Sequence, residues 1–250
     1  MQKYFPEYLE CYQDFDSTSD LMLLQNTPLP HDIVKLGAGG INEIWRKVKV
    51  RAAGIKRAQT LVEVAQNSVG LEGGEAARLE IWILVNDYLA KKQQLERRDE
   101  YMAQKVMEVP NVEKLLAIKG VGLSTVIGFI AEVGDIGRFT DPKQIQKLAG
   151  LEITKLSSGK KKGQPGISKR GRSKLRRTMY ESARALMNWN PAFADVFLYY
   201  MNRTRNPLGG MPAKIAVTCK AIRVFYIILK TGCAFDEARF REDIIRPEAA

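Results

Sequence analysis

The stretch "VEKLLAIKGVGLSTVIGFIAEV", Val112–Val133, decides how this chain is read. Leu115, Leu116 and Ile118 run into Gly120-Val121-Gly122, and Val126, Ile127, Ile130, Ala131 and Val133 then recur at helical spacing. The pattern predicts helix, tight turn, helix. Gly120 and Gly122 permit a sharp turn and close approach of the backbone. The amides after such a turn open a helix, where a phosphate is electrostatically favoured. Gly120 and Gly122 are therefore candidate nucleic-acid-binding positions of a helix-hairpin-helix that holds a phosphate backbone without reading bases. A tight turn inside an all-helical core would use the same glycines. Helix-hairpin-helix glycosylases place a lysine shortly after the turn, where this chain has Ser124, so that class is set aside.

Downstream, Asp141-Pro142 predicts a helix start with Asp141 as N-cap and Pro142 at its first position. A basic run then extends from Lys155 to Arg177, comprising Lys155, Lys160, Lys161, Lys162, Lys169, Arg170, Arg172, Lys174, Arg176 and Arg177. No Asp or Glu interrupts it, so it must be solvated or sit on phosphates. Leu151, Ile153 and Leu156 precede the run and "LRRTMYESARAL" continues it as an amphipathic helix, which predicts a loop anchored at both ends. Ser157, Ser158, Ser168 and Ser173 lie within it. A hydroxyl among fixed cations can attack a phosphodiester or merely donate a hydrogen bond to it; residue chemistry alone leaves both open. Further on, "PAFADVFLYYMNRTR" reads as a helix and "NPLGGMP" as a loop. "AKIAVTCKAIRVFYIILKTG" reads as a long apolar helix ending at Gly232, and "EDIIRPEAA" as a loose tail.

Upstream, Glu75 to Val109 contains neither proline nor glycine. Leu79, Trp82, Val85, Leu89, Leu95, Met102 and Val106 form a narrow apolar stripe that suits a coiled-coil arm or a strut, and Pro110 ends it. Before it, "LGAGG" reads as a turn between short helices, and Leu61, Val64, Ala65, Ser68 and Val69 share one helical face. No strand pattern is evident. The predicted fold is mainly α: helical linker (1–74), long coiled-coil-like helix (75–109), helix-hairpin-helix-containing domain with the basic loop (110–240) and tail (241–250).

The chain has 250 residues, 45% hydrophobic and 27% charged, with a formal net charge of +11, which points to a polyanionic partner. Cys11, Cys219 and Cys233 form no CxxC pair or disulfide framework. The single histidine, His31, at a helix start, reads as a capping or surface residue, which leaves histidine-based nucleases and zinc hydrolases without their ligands. No membrane-length apolar run or secretory pattern is seen, so a cytoplasmic location without a membrane partner is expected.

Three quoted stretches, "LLAIKGVGLSTVIGFIAEVGDIGRFTDPKQIQKLAGL", "SSGKKKGQPGISKRGRSKLRR" and "PAKIAVTCKAIRVFYIILKTGCAFDE", occur in the order and spacing of a known domain. Across about Val112 to Glu237 the chain resembles the carboxy-terminal transposase domain of IS110-type, bridge-RNA-guided insertion-sequence transposases. The resemblance implies that Ser158, in the "SG" pair, is the nucleophile of DNA strand exchange, with Ser157 adjacent to it. It also implies that Lys169, Arg170, Arg176 and Arg177 hold phosphates of DNA or guide RNA, a role that the charge run by itself suggests for Lys160, Lys161, Lys162, Arg172 and Lys174. A homodimer or tetramer is expected from two-strand exchange. Full-length members begin with an acidic ribonuclease-H-like domain that binds magnesium. No matching segment is seen here, so no metal or cofactor is expected in this chain, and strand exchange by it alone is not expected. Two other readings share these features: a non-enzymatic helix-hairpin-helix nucleic-acid binder, and a truncated inhibitory partner of an intact transposase.

Overall fold

The computed structural model describes residues 2–11, 17–47, 54–154, 157–158, 161–162 and 166–245. The described chain is mainly α-helical and forms two compact units, Met1–Arg98 and Asp99–Ala250.

In the first unit, α1 (Tyr8–Cys11), α2 (Thr18–Asn26), α3 (Pro30–Lys47) and α4 (Ile55–Gln66) pack with the first part of α5 (Glu75–Met107). Phe5, Tyr8, Leu23, Leu24, Ile33, Ile41 and Trp45 are fully buried at the centre. Ser17 starts α2 by accepting a hydrogen bond from the Asp20 amide, and its hydroxyl donates to the Asp20 carboxylate. His31 is exposed and lies beside Asp32 and Arg78, as a surface residue should.

The turn expected at "LGAGG" is present as a break at Gly37 (φ 69°, ψ 169°), where two helical pieces of α3 meet at a kink, and two other sequence expectations change here. Only Gly37 of these glycines takes the left-handed φ, and Gly39 and Gly40 stay helical because burial of Ile41 and Trp45 rewards continuation. Val69 lies beyond the end of α4 and is exposed, while Ala58, Leu61 and Ala65 form the buried face. On α5 the buried row is Ala77, Ile81 and Val85, with Leu89 half-buried. Leu79, Trp82 and Leu95, counted in the apolar stripe, are about half exposed (56%, 51% and 51%). A helix of period 3.6 selects the row that meets neighbours, and periodicity alone does not say which row that is.

In the second unit, α6 (Val112–Leu116), α7 (Leu123–Val133), a 3₁₀ turn (Ile136–Arg138) and α8 (Pro142–Leu148) lead to the basic run. At its start and within it lie two-residue strands, β1 (Ile153–Thr154), β2 (Ser157–Ser158), β3 (Lys161–Lys162) and β4 (Gly166–Ile167), too short to carry alternation. The helices α9 (Ser173–Trp189), α10 (Pro191–Asn202), α11 (Gly210–Thr231) and α12 (Glu237–Ile245) complete the unit. Part of the expected loose tail is thus α12. The Phe240 ring lies tilted 4.4 Å from that of Phe193, and Arg241 pairs with Asp195 at 2.7 Å, fixing this helix on α10.

The core of this unit is built around α7, α9 and α11. Val126, Phe129, Met179, Ala183, Val217 and Phe225 are fully buried, and the Phe129 and Phe225 rings meet edge to face at 5.3 Å. At Gly128 α7 runs close to α9: a Cβ there would lie 2.9 Å from Thr178 Cγ2. Asp141 caps α8 by accepting from the Lys143 amide at 2.7 Å, with Pro142 in the first helical position. Gly232 ends α11 in the left-handed region (φ 71°). It packs against Asn111, also left-handed (φ 66°), and Lys114 donates to the Gly232 carbonyl, so the start of α6 sits on the end of α11.

Candidate nucleic-acid interface

Two features bring the predicted residues into position: the α6–α7 turn and the neck of the basic loop. In the turn, Gly120 has φ 97°, and a Cβ there would meet the backbone of Ala185 and Leu186 at 3.1–3.3 Å. Gly120 therefore lets the turn lie flat on α9. Gly122 faces nearly open space and precedes the first residue of α7. The α7 amides that follow it, with exposed Lys119 beside them, form the part of the turn available to an anion.

The neck is a ribbon closed by main-chain hydrogen bonds. β1 pairs antiparallel with β4, Ile153 opposite Ile167 and Thr154 opposite Gly166. Below this, the Ser168 amide donates to Glu152 O (2.8 Å), Lys169 to Gly150 O (3.0 Å) and Arg172 to Leu148 O (2.7 Å). The two sides come so close that side chains are excluded: a Cβ on Gly171 would lie 2.4 Å from Leu148 O, and one on Gly150 2.8 Å from Arg170 O. Gly150 (φ 69°), Lys169 (φ 54°) and Gly171 (φ 143°) all have positive φ. Two of these three sites carry glycine, which takes such angles without steric cost.

Above the neck, β2 pairs antiparallel with β3: Ser157 stands opposite Lys162 and Ser158 opposite Lys161. The backbone therefore brings the serine pair and the lysine pair together. Lys155 and Lys160 lie outside the described residues.

The remaining basic residues fall into two groups. Lys169, Arg170, Lys174 and Arg177 are exposed around the neck and the first two turns of α9. Arg172 and Arg176 are engaged with the protein. Arg172 Nη1 donates to the Glu132 carbonyl and lies 3.8 Å from the Glu132 carboxylate, tying the start of α9 to the end of α7. Arg176 Nη1 donates to Ala149 O at 2.9 Å and to Lys169 O at 3.3 Å. Glu132, the carbonyls of Ala149 and Lys169, and the pair Tyr226 and Lys230, which both donate to the Phe139 carbonyl, are parts of this frame that sequence reasoning missed. No local pattern marks them, because their partners are 27 to 91 residues distant or lie on the main chain.

The order of these elements, α6–turn–α7, α8, serine hairpin on a glycine-closed neck, then α9, is the feature that can be compared with other proteins. A family model described as Transposase IS116/IS110/IS902 family matches residues 112–198. Residues 112–198 are thus similar to an IS110-type transposase domain. The match takes in the α6–α7 turn, the entire neck and hairpin, and α9. Over 75 residues the chain is 40% identical to the transposase for insertion sequence element IS1111A of Coxiella burnetii, which is 30% of this chain and 21% of that protein. It is 22% identical over 218 residues to the insertion element IS116 uncharacterized 44.8 kDa protein of Streptomyces clavuligerus, covering 87% of this chain and 54% of that one. With the transposase for insertion sequence element IS1328 of Yersinia enterocolitica it shares 23% identity over 145 residues, 58% of this chain and 43% of the relative. The chain thus spans between about a fifth and about half of these relatives' lengths.

Burial pushes the Cys219 thiol up to about 11, so it is not a nucleophile at neutral pH. Among the described residues no three of His, Cys, Asp or Glu gather as metal ligands. No helix of the described residues is long and apolar enough to cross a membrane.

Proposed function

We propose that this chain supplies the serine nucleophile and part of the nucleic-acid grip of an insertion-sequence transposase. The observation that carries the reading is the β2–β3 register, Ser157–Ser158 against Lys161–Lys162, on a rigid neck inside the matched domain. Ser158 is the nucleophile, with Ser157 as the neighbouring candidate. Its oxygen bonds to phosphorus as the bond from phosphorus to the sugar oxygen breaks. The serine proton passes to solvent, and the departing sugar oxygen takes one up. A sugar hydroxyl of the second strand then attacks the phosphoserine and frees the serine, so the phosphodiester energy is conserved. Lys160, Lys161 and Lys162 stabilise charge on the phosphoryl oxygens, which costs no reorganisation when the cations are already in place. Lys169, Arg170, Lys174 and Arg177, with the α7 amides after Gly122 in a helix-hairpin-helix role, hold backbone phosphates of DNA or of a guide RNA. Leu79, Trp82 and Leu95 on α5 suit pairing with a second copy, as exchange between two strands requires.

The test is a nicked suicide DNA substrate incubated with the complete transposase, followed by mass spectrometry of the trapped peptide. A phosphoserine bond at Ser158 is expected. Ser158→Ala abolishes the adduct and leaves DNA binding intact. Absence of any adduct in the active enzyme, or an adduct outside residues 157–158, sinks the reading.

A further inference from the structure

The two-carbonyl contact of Arg176 carries a role different from phosphate binding. We propose that Arg176 is a positioning residue that sets the pose of the serine hairpin; the proposal rests on the reading of that hairpin as reactive. Three observations support it. The Arg176 guanidinium reaches both sides of the neck, donating from Nη1 to Ala149 O and to Lys169 O. Ala149 O is one of the last carbonyls of α8, which a helix end leaves without an internal partner. Lys169 holds a left-handed conformation in which its amide bonds across to Gly150 O.

The space is also made for this side chain. A Cβ on Gly150 would lie 2.9 Å from Arg176 Nη1, so glycine at this position admits the guanidinium as well as the backbone turn. Arg176 is half-buried, and its neighbours on α9, Leu175 and Met179, are fully buried in the core. The arginine thus joins a fixed helix to both sides of the neck. Arg172 adds a second tie one turn earlier, to Glu132 on α7. By contrast, Lys169, Arg170, Lys174 and Arg177 are exposed, with no side-chain hydrogen bond or ion pair found to another described residue. They are the groups left for phosphates.

The distinction matters because a phosphate contact needs charge, whereas this bridge needs two N–H bonds from one nitrogen, Nη1, held at a fixed reach. Lysine supplies the charge, but on a shorter and more flexible stem. Misplacing a nucleophile by about 1 Å costs on the order of 100-fold in rate. Loss of the bridge should therefore reach the chemistry without changing how many phosphates are held.

The experiment compares Arg176→Gln, Arg176→Lys and Arg177→Gln in this chain, with a mixed-sequence DNA duplex as the binding probe and amide exchange followed at Ser168 and Lys169. Arg177→Gln should lower the slope of log affinity against log salt by about 0.9 and leave amide exchange unchanged. Arg176→Gln should leave that slope unchanged and speed exchange of the Ser168 and Lys169 amides by about tenfold or more, as loss of a charge-assisted hydrogen bond implies. Arg176→Lys should fail to restore protection. In the complete transposase, Arg176→Gln should lower the yield of covalent serine–DNA adduct at saturating DNA by roughly 10- to 100-fold. The proposal is overturned if Arg176→Gln flattens the salt slope, Arg176→Lys restores it, and both amides stay protected. Should Arg176→Gln not fold, wild-type protection in Arg176→Lys overturns it equally. A wild-type chain that binds no duplex counts against the functional reading alone, while amide exchange still decides the role of Arg176.

Discussion

Replacing Gly171 by alanine tests the neck directly. The φ of 143° lies in a region L-residues rarely adopt, and strain of this kind costs about 1–3 kcal/mol. The new methyl would start 2.4 Å from Leu148 O and 2.9 Å from the Gly150 amide nitrogen, both main-chain atoms without a rotamer to change. Leu148 O also accepts the Arg172 amide at 2.7 Å, so relief by movement weakens a hydrogen bond worth roughly 0.5–1.5 kcal/mol. Together these give a local destabilisation of about 2–4 kcal/mol. Gly166 supplies the control. It lies in the same neck, its φ is not positive, and a Cβ there meets nothing within 4 Å. Alanine at 166 should be neutral, or stabilising by about 0.4–1 kcal/mol through the unfolded chain. Amide exchange at Arg172 and urea unfolding of both variants measure the contrast. Protection at Arg172 should collapse in Gly171→Ala and persist in Gly166→Ala. Equal protection in the two variants would refute the argument that close backbone approach, rather than loop flexibility, selects glycine here.

Two further outcomes follow from the core. Phe129→Ala removes a fully buried ring and its edge contact with Phe225, and should cost about 3–5 kcal/mol in urea unfolding; a loss below 1 kcal/mol would show a looser core. Cys219 keeps its proton in the fold until about pH 11, whereas an unfolded thiol loses it near 8.5, so native protein binds more protons between these values. Its contribution is full below the lower value and is lost as pH rises to the higher one, on the order of 3 kcal/mol. Stability of wild type should therefore fall more steeply than that of Cys219→Ala across this range, and parallel curves would contradict the burial.

Much of the α-helical framework is written locally. Asp141-Pro142 specifies a helix start because the carboxylate satisfies a free amide and proline needs none, and Gly232 marks a stop because it accepts φ near 70°. The "GVG" turn was legible for the same reason, though its orientation was not: that Gly120 faces α9 follows from which surface α9 presents. On α5 the stripe members Val85 and Val106 are buried, but which of Leu79, Ile81 and Trp82 faces the neighbouring helices was not legible, because all three are apolar. α12 went unseen because Phe240 gains its burial from Phe193, 47 residues earlier in the chain.

The basic run shows the division most clearly. Sequence by itself determined a chain rich in helices, a dense positive loop anchored at both ends, and the residues that resemble a transposase domain. Its ten cations looked equivalent because charge is a property of each residue alone. Only the tertiary structure separated Arg172 and Arg176, which hold Glu132, Ala149 and Lys169, from exposed Lys169, Arg170, Lys174 and Arg177. The physical reason is that a hydrogen bond is set by distance and direction to a partner, and those partners are placed by the packing of α7, α8 and α9.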